Sequence, residues 1–309
     1  MIILSIKTIN YTLNRSRPGM KNMKLFTLLI SLLFLLSTCI KNNPDPSWLI
    51  VNDWTLLPNS NYAGSEGELT DNITDAWVYV NDELIGVFEV PFKIPILKTG
   101  AVDIKVFPAI KNNGISATKK VYPFLEIYQI NGVLVANDTL TISPTTKYKD
   151  NLSFTIEDFE DINTSIINDP NTSAANFTLQ NTNLEWFNGN FYAHIGLNSV
   201  DSSWVAYTNW ASYISKGKEV YLEIDYRNTN SVTTGLIAVS PSGTLANPNI
   251  RLNAQKTSPL VWKKIYIDLR EIVGSSANSS YFEQSFEAYL EAGLTSTEIE
   301  IDNLKLIHF

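Results

Sequence analysis

The runs Ala76-Trp77-Val78-Tyr79-Val80-Asn81 and Val220-Tyr221-Leu222-Glu223-Ile224-Asp225-Tyr226-Arg227 alternate at a period of two and are rich in aromatic and branched residues. That period sends successive side chains to opposite faces, so each run can bury a face as a strand but not as a helix. Between residues 48 and 107 no stretch keeps a helical apolar period over three turns. Asn81-Asp82-Glu83 marks a turn into a return strand at 84–90, and Lys98-Thr99-Gly100 and Asn112-Asn113-Gly114 punctuate the series that follows. The pattern predicts an all-β chain of two tandem β-sandwiches, residues 48–146 and 147–309, divided where Pro144, paired Thr and mixed charges interrupt the alternation.

In the second unit strands are expected at 152–159, 220–227, 236–239, 250–253, 262–269, 285–292 and 298–307, with a polar loop at 163–175. The last strand contains a conflict of parity. Ile299 and Ile301 share one face, whereas Leu304 and Leu306 fall on the other. One extra residue would bury both pairs on the same side, so a β-bulge is predicted at Asp302-Asn303.

Ahead of the β pattern, Lys21 and Lys24 lead into an apolar run of about fourteen residues that ends in Ser37-Thr38-Cys39. A bilayer span needs roughly 20 apolar residues, so the run is too short to cross. Leu36-Ser37-Thr38-Cys39 resembles the lipobox of bacterial lipoproteins. The resemblance implies cleavage after residue 38, with Cys39 acylated as the mature first residue and the protein held at the cell outer membrane. One acyl chain binds membranes marginally, at about 0.8 kcal/mol per buried CH₂, whereas several on one residue hold almost permanently. Residues 1–38 are read as an N-terminal extension and signal peptide, with Met20 and Met23 as alternative starts. Residues 39–47, with Pro44 and Pro46, are read as an extended linker.

Removing residues 1–38 takes away Lys7, Arg15, Arg17, Lys21 and Lys24 and no acidic residue, leaving 18 Lys and Arg against 31 Asp and Glu, a net charge near −13. Such a surface repels nucleic acid and anionic headgroups, so no nucleic-acid partner is expected and the membrane contact falls to the lipid alone. Cys39 is the only cysteine, which excludes disulfides and thiolate chemistry, and two histidines, His194 and His308, leave little for a triad or an imidazole metal centre. His194, between Ala193 and Ile195, reads as a satisfied core histidine.

The run 77–107, with Val78-Tyr79-Val80-Asn81-Asp82-Glu83-Leu84-Ile85-Gly86, Pro91, and Gly100 ahead of Val102-Asp103-Ile104-Lys105-Val106, resembles the PEGA-type repeat of envelope proteins and implies a spacer. The runs Phe154 to Glu160, Leu222 to Arg227, Trp262 to Leu269 and Ile299 to Leu306 resemble the galactose-binding-like jelly rolls of carbohydrate-binding and adhesion modules. That resemblance implies a glycan partner.

Two groups of residues could carry chemistry. Flat apolar rings with polar neighbours suit a pyranose, which presents C–H faces and a rim of hydroxyls; Trp186, Asn188, Tyr192, Trp204, Trp210 and Arg251 are the candidates, against the alternative that these aromatics fill the core. Asp158, Glu160 and Asp302 could gather around calcium if first and last strands lie together, against the alternative of a solvated acidic edge. No spacing places paired carboxylates across a cleft. The reading is a non-enzymatic lipoprotein that binds glycan or mediates adhesion. A structural subunit docking onto an envelope protein partner is the alternative, and a glycoside hydrolase or its accessory is the third.

Overall fold

The computed structural model describes residues 44–181, 189–256, 259–276 and 278–309; Cys39, Trp186 and Asn188 lie outside these. Residues Pro46–Phe309 form one compact unit of all-β architecture. No helix among the described residues is long and apolar enough to cross a membrane.

The first half contributes β1 (Ser47–Val51), β2 (Thr55–Leu56), β3 (Asp75–Val80), β4 (Glu83–Glu89), β5 (Phe92–Ile96), β6 (Gly100–Lys111), β7 (Lys119–Val121), β8 (Tyr128–Leu134), β9 (Thr139–Ile142) and β10 (Thr145–Thr146). One sheet runs β5-β1-β9, and a second runs β4-β3-β6-β7 with β8 beside β6. Between them lie Leu49, Val51, Val78, Val80, Ile104, Val106 and Ile142, each at the buried parity of its strand. The segment expected to interrupt the pattern carries β10, which pairs in parallel with β2.

The second half adds β11 (Ser153–Glu157), β12 (Ile166–Asn168), β13 (Thr178–Asn181), β14 (Phe191–Asn198), β15 (Ser203–Thr208), β16 (Val220–Asn228), β17 (Val232–Ser240), β18 (Gly243–Leu252), β19 (Lys263–Asp268), α1 (Arg270–Ser275), β20 (Tyr281–Tyr289) and β21 (Ser296–His308). A six-stranded sheet, β13-β14-β21-β16-β19 with β11 also on β21, faces the five-stranded β12-β15-β20-β17-β18 as a jelly-roll sandwich. β12 lies inside the segment expected to be loop, its three residues held by pairing with β15.

β21 carries the expected bulge. Glu223 faces Lys305 and Asp225 faces Asp302, so two steps along β16 span three along β21, and Asn303 takes up the difference at φ 47°. Ile299, Ile301, Leu304 and Leu306 are all buried in one core as a result. The bulge falls where β14, paired up to Ile301, hands the edge of β21 to β11, paired from Leu304.

The two halves share a hydrophobic core. On β16, β19 and β21 the even-handed alternation puts Leu222, Ile224, Ile265, Ile267 and Leu306 inside the sandwich and turns Tyr221, Tyr266 and Ile307 outward. Those outward residues are also buried, because they belong to the first half's core. Tyr122 lies 5.2 Å from Tyr221 and 4.8 Å from Tyr266 between ring centroids.

Candidate functional site

The edge strand β19 decides where the molecule can be entered. One of its sides pairs with β16; the other would leave backbone groups open to solvent. Loops of the first half cover it. Asn113 donates its backbone N–H to the Tyr266 carbonyl at 2.9 Å and accepts from the Asp268 N–H at 2.8 Å, while Asn72 donates Nδ2 to the Lys264 carbonyl at 2.9 Å. The turn that makes this approach holds Asn113 at φ 55° and Gly114 at φ 71°, the left-handed region that asparagine and glycine tolerate. A Cβ on Gly114 would stand 3.1 Å from Ile265 Cδ1, close enough that Ile265 would have to shift by a few tenths of an ångström, in addition to the strain of the backbone.

Behind that edge lies a polar core. Glu223 accepts from the hydroxyls of Tyr122 at 2.7 Å and Tyr148 at 3.0 Å, and Lys264 Nζ lies 3.4 Å from Glu223 and 3.2 Å from Asp225. Thr70 donates to Asp225 at 2.5 Å, and Lys305 donates to the Glu68 carbonyl. Burial disfavours the charge on Lys264, yet Asp225 and Glu223 outweigh it and hold the ammonium above its usual pKa. For Lys305 the balance reverses: burial, with repulsion from Lys264, outweighs the attraction of Glu223 and Asp225 and brings it down to about 8. The side chains of Glu223, Asp225 and Lys264 are wholly inaccessible, so this network joins the halves and meets no substrate. Nearer the surface Lys120 reaches across to Asp268 at 3.0 Å and to the Tyr221 hydroxyl at 2.6 Å.

One accessible feature is a groove along β19. Two hollows of about 440 and 480 Å³ share Gly114, Tyr226, Lys263 and Ile265. The first also takes in Asn72 and Trp262, the second Arg251 and Asn253. Tyr226 is half-buried at the end of β16 and packs against the sandwich core, which fixes its ring while leaving part of it exposed. Beside the groove Trp262 meets Tyr192 edge-on at 5.5 Å, with the Arg227 guanidinium 5.1 Å from the indole and 5.7 Å from the phenol. Glu300 accepts from Arg227 and lies 3.4 Å from His194 Nδ1. His194 therefore sits on the outer face of its sheet, with Ala193 and Ile195 taking the core parity, which corrects its reading as a core residue.

The residues proposed for ligand contact are scattered. Trp204 is wholly buried, stacked on Phe286 at 5.7 Å with its Nε1 donating to Asn168, and Trp210 is 8% exposed within the same core. Both fill the sandwich and neither presents a face to a sugar. Tyr192, also 8% exposed, is covered in the Trp262 cluster. Arg251 alone of the described candidates reaches the groove. Tyr226 and Lys263 reach it without having been singled out; the one signal was their place at the ends of two strongly patterned strands.

The three carboxylates proposed for calcium do not converge as a cage. Glu160 turns both oxygens to Asn190 and to the Phe191 N–H, and Asp158 accepts from the Glu160 N–H at 3.3 Å. Asp302 is buried at the bulge, and burial, with the nearby charges of Asp225, Asp158 and Glu160, pushes its carboxyl up to about 9. Among the described residues no group of three or more His, Cys, Asp or Glu stands where it could hold one metal ion.

No known protein family matches the chain, and no curated protein is similar to it. Among solved structures, similarity is found to the enzymatically active domain of bacteriophage CBA120 tailspike protein 4, at 12% identity and TM-score 0.34, covering 52% of this chain and 20% of that one. A second is the CBM22-1 and GH10 modules of Clostridium thermocellum xylanase 10B complexed with xylohexaose, at 12% identity and TM-score 0.36, covering 50% and 28%. A third is a family 29 carbohydrate-binding module, at 12% identity and TM-score 0.31, covering 51% and 88%. The match thus spans under a third of the first two proteins' own lengths, and at these scores none of the three decides a ligand or a chemistry for this chain.

Proposed function

We propose that the chain is a lipid-anchored protein of the cell outer membrane that recognises glycan without turning it over, through the groove along β19. The observation that carries this reading is the composition of the groove: a partly exposed phenol ring, held rigid by the core, among Asn72, Asn113, Asn253 and Arg251. A sugar's C–H face stacks on such a ring while amide and guanidinium groups bond its hydroxyls. The fixed ring loses little rotamer entropy on binding. Acylation of Cys39 would hold the protein at the membrane while the compact unit that begins at Pro46 faces the ligand.

Two measurements test the parts separately. On a glycan array probed with the full chain in detergent, hits are expected that weaken at least tenfold in Tyr226→Ala and in Asn253→Ala, each checked for an unchanged folded spectrum; about 1.4 kcal/mol of lost contact is enough. An array without hits removes the glycan reading. Replacing Cys39 by Ser is expected to move the protein from the membrane to the soluble fraction, and continued partitioning into detergent would remove the anchor.

A further inference from the structure

The groove is basic on an acidic protein. Its two hollows are lined by Lys111, Lys263, Lys264 and Arg251 and, among the described residues, by no aspartate or glutamate, although acidic residues outnumber basic ones 31 to 23 in the chain. A neighbouring hollow, beyond Asn113, has Asp268 and Glu271 in its wall with Arg270, and a hollow lined by Ser240, Thr244 and Ser275 carries no charge of either sign, so cations without acid set the groove apart from both.

The four cations differ in availability. Lys264 is committed to Glu223 and Asp225 and presents only its backbone. Lys111 lies 3.2 Å from Glu89, whose side chain is 62% exposed, and such a solvated pair is worth about 0–1 kcal/mol and exchanges readily. Arg251 gives Nη2 to Ser231 and Glu291, and Nη1 and Nε have no acceptor among the described residues. Lys263 is exposed and has no carboxylate partner among the described residues.

We infer that the groove takes an anionic glycan, one bearing carboxylate or sulfate groups, with Lys263 and Arg251 meeting the anions while Tyr226 carries the sugar face. This rests on the glycan-binding reading above and adds the class of sugar. The hydroxyls of a neutral sugar can accept from these donors, but a carboxylate or sulfate meets the two exposed cations with charge-assisted bonds roughly twice as strong. The acidic surface elsewhere repels a polyanion, which confines it to this strip and makes its binding depend on salt.

The test titrates the full chain in detergent with two matched pairs of polymers, polygalacturonate against its fully methyl-esterified form, and dextran sulfate against dextran. The expected result is that at least one anionic member binds tenfold or more tightly than its neutral match, weakens as salt is raised, and loses at least fivefold in affinity with Lys263→Glu and with Arg251→Ala. Lys93→Glu, at a lysine that lies over Trp48 and lines neither hollow, is expected to leave affinity within twofold. A preference for polygalacturonate assigns the carboxylate source and one for dextran sulfate the sulfate source; either supports the inference. Equal binding within both pairs overturns it while the glycan reading stands, whereas failure of all four polymers together with a silent neutral-glycan array sinks the glycan reading itself. Anion preference that Lys93→Glu lowers as much as Lys263→Glu overturns the assignment to this groove.

Discussion

Lys264→Met is expected to lower the free energy of unfolding by about 3–5 kcal/mol, because it leaves two buried carboxylates without their cation. Glu223 and Asp225 would then face each other across a space from which solvent is excluded. For a fold whose whole stability is of order 5–15 kcal/mol this is a large fraction. The single replacement exaggerates what the network contributes, since much of the cost is the penalty on the stranded partners. A double change, Lys264→Met with Glu223→Gln, removes one charge of each sign and keeps an acceptor for the hydroxyls of Tyr122 and Tyr148. It is expected to recover at least half of the loss. Denaturant unfolding of the four proteins of the cycle measures both quantities. A Lys264→Met protein within about 1 kcal/mol of the parent would mean that the ammonium is hydrated and the network open to solvent.

The same strands show what a sequence can and cannot disclose. Alternation along β16 is legible because the period of two is a property of the chain itself, and it sorts Leu222 and Ile224 from Tyr221, Glu223 and Asp225 correctly. The bulge at Asp302-Asn303 is legible for the same reason: two apolar pairs of opposite parity cannot share a core without it. What covers the second face is a property of the tertiary arrangement. Alternation alone does not say what lies over Glu223 and Asp225, and they are buried because the first half covers them. Trp204 and Trp210 carry no local mark that separates a packed indole from a presented one. Nor does Lys263 announce that its strand lies at an edge, which is why the groove became visible only when loops more than a hundred residues earlier were seen to flank it.

If the shared core is what holds the two sandwiches, separating them should be damaging to both. Cut between Ser143 and Asn151, the first half would lose Tyr221, Tyr266 and Ile307 from its core, and the second would expose them on an open sheet face. Burying a large apolar side chain fully is worth about 1.5–3 kcal/mol, so three of them approach the entire margin of a domain of about 100 residues. The second half would also present the edge of β19, stripped of the caps from Asn72 and Asn113. Unpaired edges of this kind recruit other chains. The expected result is that each half made alone melts at least 10 °C below the intact protein or aggregates. Mixed, the halves should form a one-to-one complex that regains near-ultraviolet circular dichroism, since Tyr122 of the first half packs directly against Tyr221 and Tyr266 of the second. That recovery should fail when Tyr266→Ala is built into the second half, because the residue fills the core with its ring and fixes the loop with its hydroxyl, which accepts from the Asn72 N–H at 3.0 Å. Halves that melt independently at the parent's temperature and ignore each other in solution would make the junction an incidental contact, and the groove built on it would lose its rigid wall.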